Sequence, residues 1–292
     1  MTVQLHRDSP LPLLERLPRL HDGQLFLDSP GPAARALVAF VWGLLEHAYP
    51  EDDPRRVQLV IAPEEHFRRL TRVRRELLER PETRERLREL LREQGWPLDR
   101  TWFDLLRLRA VLSGGHRNPA AGHAYLLHRD TWYANPPAQV NVWTAVSDVG
   151  EEQAFAFWPQ HWDRPIANDS EVFDYARWVE YGGWQVPDAR KRYPVVLEEP
   201  AGPELRVPAR SGECLLFSGS HLHATRGHDA GTTRFSVEFR VVLQDDLEPQ
   251  RLRRRVDNRS RGTTLPDFLR AADFARCPPG LWSSHAAEPG TR

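Results

Sequence analysis

The sequence predicts a helical N-terminal layer packed on an antiparallel β core of the sandwich or barrel type. Three observations predict it. Apolar residues recur at helical spacing through most of the first hundred positions. Beyond Trp102 the pattern changes to short apolar or alternating runs separated by Gly, Pro, Asn and Asp clusters, which favours many short strands over alternating βαβ units. The length of 292 residues and the 40% hydrophobic content suit one large domain, or a core with appendages.

In chain order, Leu37, Phe40, Val41, Leu44, Leu45 and Ala48 define a helix over residues 33–48 that Pro50 ends. Residues 58–62, Gln-Leu-Val-Ile-Ala, are expected to form a short buried strand. Residues 64–93 interleave arginine and glutamate around Phe67, Leu70, Val73, Leu77, Leu78, Leu87, Leu90 and Leu91, and Pro81 splits them into two amphipathic helices with solvated charged faces. Strand-like runs follow at 105–112, 124–127, 139–146, 154–158, 195–198, 213–217 and 233–243. The expected organisation is a helical region over 1–100 packed on the core, a β core over 101–250, and an extension over 251–292. The extension opens on Arg251, Arg253, Arg254 and Arg255, and its small polar end is expected to be mobile. An insertion around 163–194 holds Phe173, Tyr175, Trp178, Tyr181, Trp184 and Tyr193. It is either a lid over a substrate or a helix packed outside the barrel.

Composition narrows the function. Forty basic residues, all arginine except Lys191, against forty-one acidic ones leave a net charge of −1, so no field draws the chain onto nucleic acid or anionic membrane. Cys214 and Cys277 form neither a disulfide scaffold nor a C-x-x-C pair. The longest apolar stretch, residues 37–45, is about half a membrane span, and no secretory signal is visible. The expectation is a soluble, cytoplasmic protein in a reducing compartment.

Twelve histidines supply candidate metal ligands. A carboxylate two residues after a histidine can share its face of a strand and reach the same ion. Chance gives about one such pair in a chain of this composition, and three occur: His6/Asp8, His128/Asp130 and His161/Asp163. Context selects His128/Asp130, which closes the apolar run at 122–127 and precedes the strand-like run at 139–146. The first pair lies in a Pro-flanked N-terminus and the third in a turn bounded by Pro159 and Pro165. A third ligand comes from the strand-like stretch after residue 212, which leads to His221 and His223. Eleven residues beyond His223, Arg234 opens a run in which Phe235, Val237, Phe239 and Val241 form one face. Arg234, Ser236, Glu238 and Arg240 form the other. That polar face lies either in water or along the wall of a ligand cavity, where a guanidinium fork suits a carboxylate.

These residues resemble the non-haem Fe(II)- and 2-oxoglutarate-dependent oxygenases, in particular the phytanoyl-CoA dioxygenase-like branch. The similarity rests on His128-Arg129-Asp130, the later His223, Arg234 with Ser236, and the acidic turn and strand at 151–159, and it spans residues 122–242. The resemblance implies a double-stranded β-helix (jelly-roll, cupin-like) core. Iron would be held by His128, Asp130 and His223, with 2-oxoglutarate and O2 as co-substrates. It further implies that Arg234, Ser236 and Trp143 lie against the co-substrate, and that 2-oxoglutarate is decarboxylated to succinate and CO2 as an unactivated carbon is oxidised. In halogenating relatives the ligand carboxylate is replaced by a small residue. With Asp130 present, hydroxylation, or desaturation or cyclisation, is expected instead. His221 is an alternative third ligand, and Tyr133, Asn135, His161 and His221 are candidate substrate contacts. The competing class is a metal-dependent cupin-like isomerase or lyase that does not use 2-oxoglutarate and has no need of the Arg234 clamp.

Overall fold

The computed structural model describes residues 3–183, 188–247 and 256–286. Trp184 and the arginines at 251, 253, 254 and 255 lie outside the described residues, as does the chain end beyond 286. The chain opens with β1 (Leu5–Arg7), α1 (Leu13–Leu20), β2 (Leu25–Asp28) and α2 (Pro32–Ala48). Then come α3 (Pro63–Glu79) and α4 (Pro81–Gln94), each with proline in its first turn, where the missing N–H costs nothing. Gly95, at φ 88°, ends α4 in the left-handed conformation that glycine adopts without strain.

The β core follows as β3 (Thr101–Phe103), β4 (Arg107–Val111), β5 (Val140–Ala145), β6 (Phe155–Phe157), α5 (Tyr175–Glu180), β7 (Leu205–Val207), β8 (Cys214–Ser218), β9 (His223–Thr225) and β10 (Arg234–Leu243). It is closed by β11 (Leu269–Arg270) and α6 (Pro279–Ala286). The larger sheet runs β1-β2-β8-β5-β10-β3-β11, with β4 also paired to β10, and the smaller runs β7-β6-β9. All named pairings are antiparallel except β1 with β2.

Side-chain alternation on the larger sheet separates two cores. Val140, Val142, Leu216, Phe235, Val237, Phe239 and Val241 pack outward against helical residues such as Leu37, Val41, Leu70, Leu87 and Leu90. Leu25, Leu27, Trp143, Ala145, Leu215 and Phe217 face inward onto Phe155, Phe157 and Val207 of the smaller sheet.

Several local expectations are corrected. Residues 58–62 form no strand: a 3-10 turn occupies Val57–Leu59, with Leu59 and Val60 58% and 63% exposed. The run has no sheet edge to pair with before Pro63 begins α3. Residues 124–127 are likewise not a strand, because a 3-10 segment covers Pro119–Tyr125. The run at 195–198 makes only a single bridge, Val196 to Asn168. His223 begins β9 rather than ending a strand. β1 and β2, inside the segment expected to be helical, join the larger sheet. In the insertion, Phe173, Tyr175 and Trp178 pack with Tyr133 and Tyr193.

Candidate active site

His128 and His223 face each other across an isolated antiparallel bridge, with N–H···O distances of 3.0 and 2.9 Å. Asp130 opens a 3-10 turn, Asp130–Tyr133, and its amide donates to the Gly219 carbonyl at 2.9 Å. Gly219 leaves room for this turn, since a Cβ there would lie 3.2 Å from the Asp130 Cβ and 2.8 Å from the Gln139 side-chain amide. The result is that His128, Asp130 and His223 present ligand atoms within 4.8 Å of one another.

Neighbouring groups fix which atoms face the centre. The Nδ1 of His128 lies 2.8 Å from the Leu126 carbonyl, and that of His223 lies 2.9 Å from the His221 carbonyl. A carbonyl can only accept, so each Nδ1 carries the proton and each Nε2 keeps its lone pair. Asp130 Oδ2 accepts from Gln139 Nε2 at 3.0 Å and Asn141 Nδ2 at 2.6 Å, leaving Oδ1 3.5 Å from His128 Nε2. Burial works against the Asp130 charge. The Arg240 guanidinium, 3.8 Å away, outweighs it and holds the carboxyl well below the usual range. Burial pushes the His223 imidazole down to about 4, so it is neutral at pH 7. A cluster of two imidazoles and one carboxylate is a donor set for a divalent transition metal.

On the inner face of β10, Arg234 is 1% exposed. Its Nη1 donates to the Gln153 carbonyl at 2.8 Å, and its guanidinium carbon lies 5.2 Å from the Phe155 ring and 5.9 Å from Trp143. Burial lowers its pKa to about 10, which leaves it protonated at neutral pH. Among the described residues Arg234 Nε and Nη2, Ser236 Oγ and Trp143 Nε1 are buried without a hydrogen-bond partner. Buried donors are seldom left unpaired, and a charged one is costly. This set of donors is fitted to a bound carboxylate. Between the two ends, Glu238 Oε1 accepts from Arg109 Nε at 2.9 Å.

The other candidates divide. Tyr133 packs edge-on to the His128 ring at 5.3 Å, with Phe173 behind it at 5.4 Å. Asn135 is committed to the framework: its Nδ2 donates to the Asp130 carbonyl and its Oδ1 accepts from Thr264. His161 Nε2 accepts from the Ala201 amide at 2.9 Å. His221 Nε2 lies 3.1 Å from the Gly23 carbonyl and its ring lies against Trp162, so it points away from the ligand cluster. The residues that sequence reasoning missed are Gln139 and Asn141 behind Asp130, and Asp104, which accepts from Arg240 and Arg107. Strand alternation could have revealed Asn141, which shares the Trp143 face of β5. Asp104 carries no such signal.

The phytanoyl-CoA dioxygenase family model matches residues 45–236, more than half of the chain. No curated protein sequence matches it. Among solved structures it resembles AviO1 from Streptomyces viridochromogenes Tue57 at 15% identity, covering 80% of this chain and 96% of that one with a TM-score of 0.41. It also resembles SnoN, a non-heme alpha ketoglutarate dependent epimerase from nogalamycin biosynthesis, at 15% identity, covering 79% and 84% with a TM-score of 0.40. A third is ThoJ, a non-heme monooxygenase, at 12% identity, covering 75% and 74% with a TM-score of 0.38. These are distant likenesses and say nothing of this chain's substrate.

Proposed function

The chain belongs to the phytanoyl-CoA dioxygenase family, and from that premise we propose an Fe(II)- and 2-oxoglutarate-dependent dioxygenase that oxidises an unactivated carbon of a small organic molecule. His128 Nε2, Asp130 Oδ1 and His223 Nε2 would hold the iron on one face, leaving three positions open. When bound, iron and 2-oxoglutarate supply O2 activation, with loss of CO2, formation of succinate and oxidation of a substrate C–H bond. Arg234 would hold the far carboxylate of 2-oxoglutarate through its unpaired donors, and Ser236 Oγ and Trp143 Nε1 would offer further ones. Tyr133, backed by Phe173, forms an apolar wall beside His128. The two sheets are read as the walls of a double-stranded β-helix, and the helices α1–α4 as the layer that backs the larger one.

One observation carries this reading: the unpaired Arg234 donors stand on the same face of β10 as Arg240, whose guanidinium lies 3.8 Å from Asp130 Oδ1 of the ligand cluster. A cupin-like isomerase or lyase would leave those donors without a ligand. Retention of Asp130 as a ligand supports hydroxylation, desaturation or cyclisation over halogenation. Among the described residues no helix is long and apolar enough to cross a membrane. The two described cysteines are free and buried, which supports a reducing, cytoplasmic setting. The test is a screen of candidate small molecules for succinate release dependent on Fe(II) and 2-oxoglutarate. A hit that Arg234→Ala abolishes at low 2-oxoglutarate supports the assignment. Turnover that needs the metal but not 2-oxoglutarate would replace it with the isomerase or lyase class.

A further inference from the structure

Between the two ligands His128 and Asp130 lies Arg129, whose side chain is 2% exposed. All three of its nitrogens are used. Nε donates to Asp257 Oδ2 at 3.1 Å, Nη1 to the Ser220 carbonyl at 2.6 Å, and Nη2 to the His161 and Arg164 carbonyls at 2.6 and 2.9 Å. Ser220 stands three residues before His223, so one guanidinium ties together the two segments that carry the ligand cluster. Asp257 is the carboxylate that pairs with it, 5% exposed. The same carboxylate also accepts from Trp132 Nε1 at 2.8 Å and from the Ile166 amide at 3.1 Å.

The contact continues along the chain after Asp257. Ser260 Oγ donates to the Thr131 carbonyl at 3.1 Å and accepts from the Ala134 amide at 3.2 Å. The Thr264 amide donates to the Ala134 carbonyl at 3.1 Å, and its hydroxyl donates to Asn135 Oδ1 at 2.8 Å. Ala134 has a φ of 59°, a left-handed conformation that a Cβ disfavours. Both of its backbone polar groups are held by this one segment. Such strain persists only where the surroundings impose it. A buried ion pair is a poor source of stability compared with apolar packing, and its better-attested use is to fix one geometry.

We propose that Arg129 and Asp257 are positioning residues of the metal centre, and that residues 257–264 form a strap holding the His128–Asp130 turn in its ligating geometry. The proposal rests on the reading of His128, Asp130 and His223 as metal ligands. Its test uses the full chain and measures Mn(II) affinity, the visible spectrum of the Co(II)-loaded protein at saturating metal, and the melting temperature. Asp257→Asn keeps the shape and removes the charge. It is expected to weaken Mn(II) binding about 10- to 100-fold, the usual cost of losing an outer-shell partner, and to alter the Co(II) spectrum. Glu171→Gln breaks an exposed pair with Arg259 of the same strap and should change neither. If Asp257→Asn does not fold, Ser260→Ala is measured instead, with a several-fold loss expected. Wild-type affinity together with an unchanged Co(II) spectrum in whichever variant is measured would overturn the strap alone. A wild-type protein that binds no Mn(II) or Co(II) would overturn the ligand assignment and the strap together.

Discussion

The two ends of the candidate site are built on opposite principles. At the ligand cluster, the atoms that do not face the centre already have partners: both Nδ1 atoms bond carbonyls, and Asp130 Oδ2 accepts two amides. At the other end Arg234, Ser236 and Trp143 hold buried donors in reserve. The difference teaches what each end awaits. A metal ion brings no hydrogen bonds, so its ligands must be oriented in advance by the protein. A carboxylate brings acceptors, so its pocket can leave donors unmet until it arrives. On the proposed reading the ion's site is complete in the chain alone, and the carboxylate's site would be completed by its ligand.

Substitutions can break this contrast at either end. The largest effect is expected from His223→Ala, which should cost about 100-fold or more in Mn(II) or Fe(II) affinity by calorimetry, while His221→Ala binds metal as the parent does. Arg234→Ala should raise the 2-oxoglutarate needed for half-saturation roughly 100-fold and leave metal affinity unchanged, because it removes a charge-assisted fork. Asn141→Ala takes away one of the two amides behind Asp130, and a loss of about 10-fold in metal affinity is expected, with 2-oxoglutarate affinity at fixed metal saturation nearly unaltered. Ser236→Ala should be the mildest, a few-fold weakening for 2-oxoglutarate alone. If Arg234→Ala and Asn141→Ala instead shifted both affinities equally, the two ends would not be separable.

The parts of this arrangement that are local in sequence are legible there. The alternation of β10 separates Phe235, Val237 and Phe239 from Arg234 and Ser236, and the structure buries the first set against the helices and the second inside. The helical spacing and Pro81 likewise mark α2, α3 and α4 to within a residue or two. What escapes is whatever depends on a partner distant in the chain. The apolar runs at 58–62 and 124–127 look like strands, yet neither finds an edge to pair with. β2 does find one, against β8, although only four residues long. Which of two nearby histidines turns inward is decided by the Gly23 carbonyl holding His221, a contact across 198 residues. The Asp257 strap has no periodicity to announce it.

On the proposed reading one site would hold a ferrous ion at one end and the far carboxylate of 2-oxoglutarate at the other. Anaerobic titration of the Fe(II)-loaded protein with 2-oxoglutarate, followed by visible absorption, tests it most directly. A weak charge-transfer band should grow to saturation in the parent, require far more 2-oxoglutarate in Arg234→Ala, and be absent in His223→Ala. A band that forms equally well in His223→Ala, or no band in the parent, would contradict the account.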